Sequence, residues 1–433
     1  MTLLRLLDYF FKCVRTFRLS PAEVQKRQIA KFREIFELAR EKSPFYHELY
    51  RKAGILDLQI RSMDDISKVP TIDKALLRQH KPEELLTTDS PDGLLSTTTS
   101  GSTGEPFRLY RTRFEMLTSH VRMFVLYWKS GWRPWYRMLL VNHYHPDSVF
   151  EGEKLMPWLR TVQKLFPLFR RDIFSIFNTP EAIRKWFDSH PKAQVLISTP
   201  SILDILCGHF EEQNIVRPFR LVVLASETLS DAQRERFRKR FGPNIVGHYG
   251  LTECPTMGFD DGMKDEKRLF SESVLLELHD TPNGTRGQKE GIITNLVNRA
   301  MPIIRFQSHD LIEDLASPDC PTKRIGPICG RVDDILQLAG GGILLHIRVY
   351  EMFNTLDCLQ YKIVQYSDGH IALRLHVRND ADHDAVRTEA LRRWREHFSE
   401  EPLEIEFVPL MDVSPKTGKF KNIEHLEACQ HSG

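Results

Sequence analysis

No two of the seven cysteines, at positions 13, 207, 254, 320, 329, 358 and 429, form a CxxC pair. Neither a zinc ribbon nor a disulfide framework is indicated, and a reducing cytoplasm fits best. Charge of one sign is also scarce. The 60 Lys and Arg residues stand against 58 Asp and Glu, a net of +2, and there is no long basic run. A nucleic-acid surface is therefore not indicated. No repeat or low-complexity segment is evident, and no uninterrupted apolar stretch is long enough to span a bilayer. The nearest approach is MTLLRLLDYFFKCVRTFRL at the start, and Arg5, Asp8, Lys12 and Arg15 interrupt it. A secretory signal would keep its apolar centre free of charge.

Those interruptions recur at intervals of three and four, which predicts an amphipathic helix within residues 1–20. Two roles fit it: a helix docked on the protein's own surface, or a peripheral contact with the inner face of a membrane or with a partner. Because the motifs described below begin only after it, the helix is expected to be dispensable for the chemistry.

The chain is 433 residues long and 41% hydrophobic, enough for a substantial core and more than one domain. Residues 22–53 read as helix, between Ser20-Pro21 and Gly54. Residues 113–129 read as helix again, followed by a strand centred on MLLVNHYH. Beyond residue 180, helices at 181–189, 201–213 and 230–241 alternate with apolar runs at 193–199, 221–226 and 244–250. This is the pattern of an α/β fold with a parallel sheet covered on both faces. The end of the chain differs. YKIVQY and HIALRLHV flank Ser367-Asp368-Gly369, a hairpin signal, and a charged helix at 382–398 and the strand LEIEFVPL follow. That is a small α+β unit, so the domains are expected at 1–330 and 331–433.

The densest local feature is STTTSGSTGEP, residues 96–106, with glycines at 101 and 104. Backbone N–H groups and hydroxyls in such a loop can cradle phosphate. No GK[ST] follows, so it is not a Walker loop, and a flexible polar turn would read the same way. Four later segments stand in order: Tyr249-Gly250-Leu251-Thr252-Glu253, Asp310 within RFQSHDLIE, Gly330-Arg331-Val332-Asp333-Asp334, and Pro415-Lys416-Thr417-Gly418-Lys419. Taken alone, Tyr249 could be a core tyrosine, Glu253 a turn carboxylate, Asp310 a turn cap and Lys419 a solvated lysine.

Together the five segments resemble the successive core motifs of adenylate-forming enzymes: acyl-CoA synthetases, adenylation domains and firefly luciferase. Within that superfamily the chain looks most like phenylacetate-CoA ligases and capsule-gene-associated adenylate-forming proteins. SPFYHELYRKAGI and VPTIDKALLRQH resemble the opening of that branch, and the likeness runs from about residue 25 to residue 423. The resemblance implies a large domain with mixed sheets and covering helices, and a small mobile lid. It also implies ATP, Mg2+ and CoA, or a carrier protein's phosphopantetheine in place of CoA, as cofactors.

The same resemblance assigns residues. Ser100, Gly101, Ser102, Thr103 and Gly104 would hold the β and γ phosphates. Tyr249 would stack on adenine, with Gly250 and Thr252 in the same nucleotide-binding turn and Ser226, Glu227 and Thr228 as backbone beside the base. Asp310 would accept the ribose hydroxyls, Arg331 would contact ribose or α-phosphate, and Glu253 would meet magnesium. Lys419 would bridge the carboxylate and the α-phosphate. Asp333 would be the hinge. Gly340, Gly341 and Gly342 would line the thiol tunnel, where a simple loop is the alternative. There are two departures: Glu105 stands where that branch tends to carry lysine, and Cys254 lacks a neighbouring histidine, so no metal site is expected there. The acid pocket is expected between 137–150 and the strands at 221–250, with His143, Tyr144 and His248 as candidate walls. Core packing is the alternative for each. An aromatic carboxylic acid as substrate, CoA as first acceptor and a carrier protein or another nucleophile as second complete the expectation.

Overall fold

The runs LVVLA, AQVLIS and RMLLVN carry almost no polar positions, so each must be covered on both faces. The computed structural model describes residues 2–88, 92–98, 107–142, 171–175, 180–281, 287–315, 317–332, 335–338, 343–345, 349, 352–353, 356–358, 360–378, 381–398, 401–409 and 423–426. Within it those runs are neighbours in an eight-stranded sheet. The strands Ile245–Tyr249, Leu221–Ala225, Ala193–Ser198, Arg137–Asn142 and Arg171–Ser175 are parallel, in that spatial order. Gly258–Phe259, Lys267–Leu269 and Arg324–Ile325 extend it antiparallel.

Alternation along each strand decides which helices cover it. Leu139, Val141, Leu196, Val222 and Leu224 face the helices Pro180–Asp188, Pro200–Glu212 and Asp231–Phe241, packing on Phe187, Leu203, Phe210, Phe237 and Phe241. Met138, Leu140, Val195, Ile197 and Val223 face the opposite way, toward Tyr9, Cys13, Val125, Leu126 and Trp132. The second face is thus covered by the helices Arg113–Lys129 and Thr2–Thr16. A four-stranded antiparallel sheet of Val274–His279, Gln288–Asn295, Phe306–Glu313 and Ile328–Arg331 stands beside it. Tyr249, Met257, Leu269, Leu276, Ile293 and Ile312 fill one cluster between the two sheets. At the end of the chain, Glu404–Phe407, Ile371–His376, Gln360–Tyr366 and Ile423–Leu426 form a separate four-stranded sheet. The helix His383–His397 packs on it, and Ile363, Leu373 and Trp394 lie in its own core.

One expectation changes. The single helix expected over 22–53 is two helices, Pro21–Lys42 and Pro44–Lys52. Pro44 has no N–H to continue the ladder, and its ring drives Ser43 to extended angles, φ −101° and ψ 118°. The first helix docks on the protein's own surface, one of the two roles expected for it. The Tyr9 hydroxyl lies 2.5 Å from Ser273 Oγ and accepts from Arg122 Nη1 at 2.6 Å. Arg122 is buried, and it also donates to the carbonyls of Pro255 at 2.7 Å and Thr256 at 3.1 Å. Arg122→Ala should therefore cost about 3–5 kcal/mol, because carbonyls and a phenol would be left buried without a donor. Tyr9→Phe should cost about 1 kcal/mol. Urea unfolding of both variants measures the difference, and an Arg122→Ala cost equal to that of Tyr9→Phe would mean that the guanidinium is not the brace. No helix among the described residues is long and apolar enough to cross a membrane.

Candidate active site

In an open parallel sheet the carboxyl ends of the strands leave a crevice where ligands bind. Here the strands Leu221–Ala225 and Ile245–Tyr249 end side by side; the candidate residues 226–228 and 250–253 follow them, and His248 and Tyr249 close the second strand. Ser226 adopts φ 72°, a left-handed conformation uncommon for a residue with a Cβ. The Glu227 carboxylate accepts from Ser201 N and Ser201 Oγ, both at 2.8 Å, which caps the helix Pro200–Glu212. Its side chain is spent on that helix, so Glu227 offers a ligand chiefly its backbone.

Tyr249, Asp310 and Arg331 converge from three strands. Strand pairing sets Asp310 opposite Arg331, and Gly330, at φ 132°, takes a backbone conformation that side chains rarely allow just where the register shifts. Arg331 Nε lies 3.5 Å from Asp310 Oδ1, and the Tyr249 hydroxyl donates to Asp310 Oδ2 at 2.7 Å. Burial pushes the Asp310 carboxyl up to about 6 against the opposing pull of Arg331. Burial, with Asp310 beside it, also holds the Tyr249 phenol well above its ordinary range.

The 250–257 turn is pinned from several sides. Arg111, from the strand Arg108–Arg111, donates to the Thr252 carbonyl and to Thr97 Oγ1, the latter at 3.0 Å. Asn295 Nδ2 donates to the Glu253 carbonyl at 3.0 Å, and Leu251 and Cys254 exchange backbone hydrogen bonds. A Cβ on Gly250 would stand 2.6 Å from Thr256 N, so only glycine closes this turn. The Glu253 side chain is buried, and its Oε1 has no hydrogen-bond partner in the structure. What it has is charge: Lys74 Nζ lies 3.0 Å away, off the hydrogen-bonding geometry. Lys74 escaped the sequence reading although VPTIDKALLRQH was singled out. It opens the helix Lys74–Arg78, and Ile72 N bonds to Arg305 O at 3.0 Å while Gln307 N bonds to Ile72 O at 2.8 Å. That bridge, with Leu77 packed in one cluster with Ile304 and Phe306, helps carry a residue so distant in sequence to Glu253.

His248 sits one residue before Tyr249. Its Nε2 is buried with no hydrogen-bond partner, and burial, then Lys267, lower its pKa to about 4, so the ring is neutral at pH 7. The Cys254 thiol is pushed up to about 11 by burial and is no nucleophile at neutral pH. Ser100, Gly101, Ser102, Thr103, Gly104, His143, Tyr144, Asp333, Gly340, Gly341, Gly342 and Lys419 lie outside the described residues. Their flanks are described. Residues 99–106 connect the strands Leu95–Thr98 and Arg108–Arg111, paired as a hairpin whose base Arg111 ties to the 250–257 turn. His143 and Tyr144 follow the carboxyl end of Arg137–Asn142. Among the described residues, no group of three or more His, Cys, Asp or Glu could hold a metal unaided.

No family model matches the chain. A curated relative, the phenylacetate-coenzyme A ligase of Pseudomonas putida, is 24% identical over 391 residues, 83% of this chain and 82% of that protein. Among solved structures, 2-hydroxyisobutyryl-CoA ligase in the postadenylation state aligns with a TM-score of 0.72 at 18% identity, covering 93% of this chain and 89% of that one. The same ligase in the thioesterification state aligns at 0.58 and 19% identity, covering 95% and 91%. The fold is that of the adenylate-forming ligases. The chain belongs to the adenylate-forming superfamily, and its curated relatives there are phenylacetate-coenzyme A ligases.

Proposed function

We propose that this protein is an AMP-forming acid–thiol ligase. A carboxylate oxygen attacks the α-phosphorus of ATP, the bond to the β-phosphate oxygen breaks, and pyrophosphate leaves. A thiol, CoA first, then loses its proton and attacks the acyl carbon, and AMP departs with the former carboxylate oxygen. The observation that carries this reading is the meeting of Tyr249, Asp310, Arg331 and Glu253 beside the carboxyl ends of two parallel strands. Asp310 would accept the ribose hydroxyls, Tyr249 would stack on adenine, and Arg331 would meet ribose or α-phosphate. Ser100 to Gly104 would hold the outer phosphates, and Lys419 the reacting oxygens. Residues 1–330 would form the large domain and 331–433 the lid, with Asp333 between them.

The buried Glu253 Oε1 without a hydrogen-bond partner suits a hard cation. Among the described residues no group of acidic, His or Cys side chains forms a cage around it, so phosphates and water would complete the shell of a bound magnesium. It would supply charge neutralisation on the β and γ phosphates. An aromatic acid is the first candidate substrate, supported by the curated relatives and by the neutral His248 ring at the proposed pocket wall. Pyrophosphate exchange across a panel of carboxylic acids, followed by product masses with and without CoA, tests the whole reading. No exchange with any acid would overturn the activation step. Exchange without a CoA product would hand the acyl group to a carrier-protein phosphopantetheine or another nucleophile. A reducing, ATP-rich cytoplasm is the compartment this chemistry requires, with the first helix as a contact to the inner membrane face.

Lys74 has a part in this scheme. It neutralises Glu253 in the free protein, and with magnesium held at Glu253 its ammonium would be available to the phosphates. Lys74→Met should lower kcat/KM for ATP about 10- to 100-fold, one lost charge-assisted contact of about 1.5–3 kcal/mol. It should also raise the apparent magnesium affinity, since the competing cation is gone. Steady-state kinetics over a magnesium series checks both, and an unchanged kcat/KM would confine Lys74 to the free state.

A further inference from the structure

The first helix has a second face that the fold does not use. Tyr9, Cys13 and Thr16 point inward, whereas Leu4, Leu7 and Phe11 are 72%, 46% and 65% exposed. The spacing i, i+3, i+7 makes them one ridge along the outside of the helix. Phe10, at the edge of that ridge, packs 6.0 Å from the ring of Trp128, itself 41% exposed, so the apolar surface continues onto the neighbouring helix. Exposed apolar side chains gathered in this way mark an interaction surface.

The charges beside the ridge choose the partner. Lys12 and Arg15 lie exposed beside it, Arg18 follows one turn on, and Arg5 lies over the Phe114 ring of the neighbouring helix, 4.2 Å from its centre. Asp8 is the one acid there, and Lys12 neutralises it at 2.8 Å. Lys129 Nζ sits 5.5 Å from the Trp128 ring centre. Two copies of this chain meeting through the ridge would press like charges together. A surface that is both apolar and anionic complements it on both counts.

We propose that residues 2–18 dock flat on an anionic lipid surface. Leu4, Leu7 and Phe11 enter the boundary between headgroups and acyl chains, Trp128 lies at headgroup level, and the basic side chains meet lipid phosphates. The opposite face, held by Tyr9 and Arg122, fixes this orientation, so the whole enzyme is set against the bilayer and not tethered by a loose tail.

Sedimentation of the full chain with sucrose-loaded vesicles tests the proposal. With equal parts of phosphatidylcholine and phosphatidylglycerol the protein should pellet; with phosphatidylcholine alone it should stay in the supernatant, and salt should weaken binding. Leu7→Asp with Phe11→Asp should lower vesicle affinity at least about tenfold at unchanged melting temperature and ATP binding. Arg15→Glu with Arg18→Glu should erase the preference for anionic vesicles. Failure of the unaltered protein to pellet, or equal binding by the Leu7→Asp, Phe11→Asp variant, would overturn the proposal. So would a dimer, blind to vesicles, that this variant splits, which would give the ridge to a second copy. The readout needs no substrate, so vesicle binding and the ligase reading stand or fall separately.

Discussion

Asp310→Ala should lower ATP-dependent acyl-adenylate formation by about two to four orders of magnitude. Two ribose hydroxyls would each lose a charged acceptor, about 1.5–3 kcal/mol apiece, and each 1.4 kcal/mol is a factor of ten. The same carboxylate is costly in the free protein. Its pKa stands at about 6 against an ordinary 3.8, so the native state holds that proton more tightly than the unfolded chain. Stability from this group therefore falls as pH rises from about 3.8 to about 6 and stays lowered above that. Asp310→Asn, which can still accept from Tyr249, should thus stabilise the ligand-free protein by about 1–3 kcal/mol at pH 8, with most of the gain gone near pH 4. It should nonetheless bind ATP poorly. ATP affinity of the unaltered protein should weaken below pH 6 for the same reason. Calorimetric ATP titrations and urea melts at two pH values measure these effects. An Asn variant that kept ATP affinity would remove Asp310 from the ribose site.

The sequence made some of this site legible and hid the rest for a physical reason. Tyr249 and Glu253 could be read through the likeness of residues 249–253 to one core motif of the adenylate-forming enzymes; the turn that carries them is local, with Gly250 required by a clash with Thr256. The alternating strands and helices from 193 to 250 could be read because strands covered on both faces must be apolar throughout. The pairing of Asp310 with Arg331 was not legible, since it depends on a strand register and a bulge at Gly330. Lys74 was hidden for the same reason: an amphipathic lysine looks solvated until the bridge between Ile72 and residues 305–307 brings it to Glu253. The first helix shows a third kind of blindness. Periodicity found its two faces, but only the buried Tyr9–Arg122 contact tells which face the protein keeps. The break at Pro44 needed no structure at all, and there local chemistry was simply outvoted by periodicity.

Lys419→Ala should abolish acyl-adenylate formation while leaving thioester formation from supplied acyl-adenylate largely intact. Lys419 falls in the connection between the strands Glu404–Phe407 and Ile423–Leu426, and Gly340–Gly342 in the connection between Ile335–Gln337 and Ile343–Leu345. The latter ribbon is fastened to the small sheet: Gln337 N donates to Gln365 Oε1 at 2.9 Å, Gln365 Nε2 donates back to Gln337 O at 2.5 Å, and Leu336 and Leu344 share the sheet's core. Lysine and glycine run are therefore rooted in one body. If each must reach the same acyl carbon, that body has to turn, and Asp333 stands just before the ribbon begins. Asp333→Pro, which fixes φ and restricts the residue before it, should slow thioester formation more than pyrophosphate exchange. The two half-reactions are measured apart, by exchange and by thioester formed from synthetic adenylate. Equal damage to both by each variant, with the proteins still folded, would leave a single fixed arrangement as the better account.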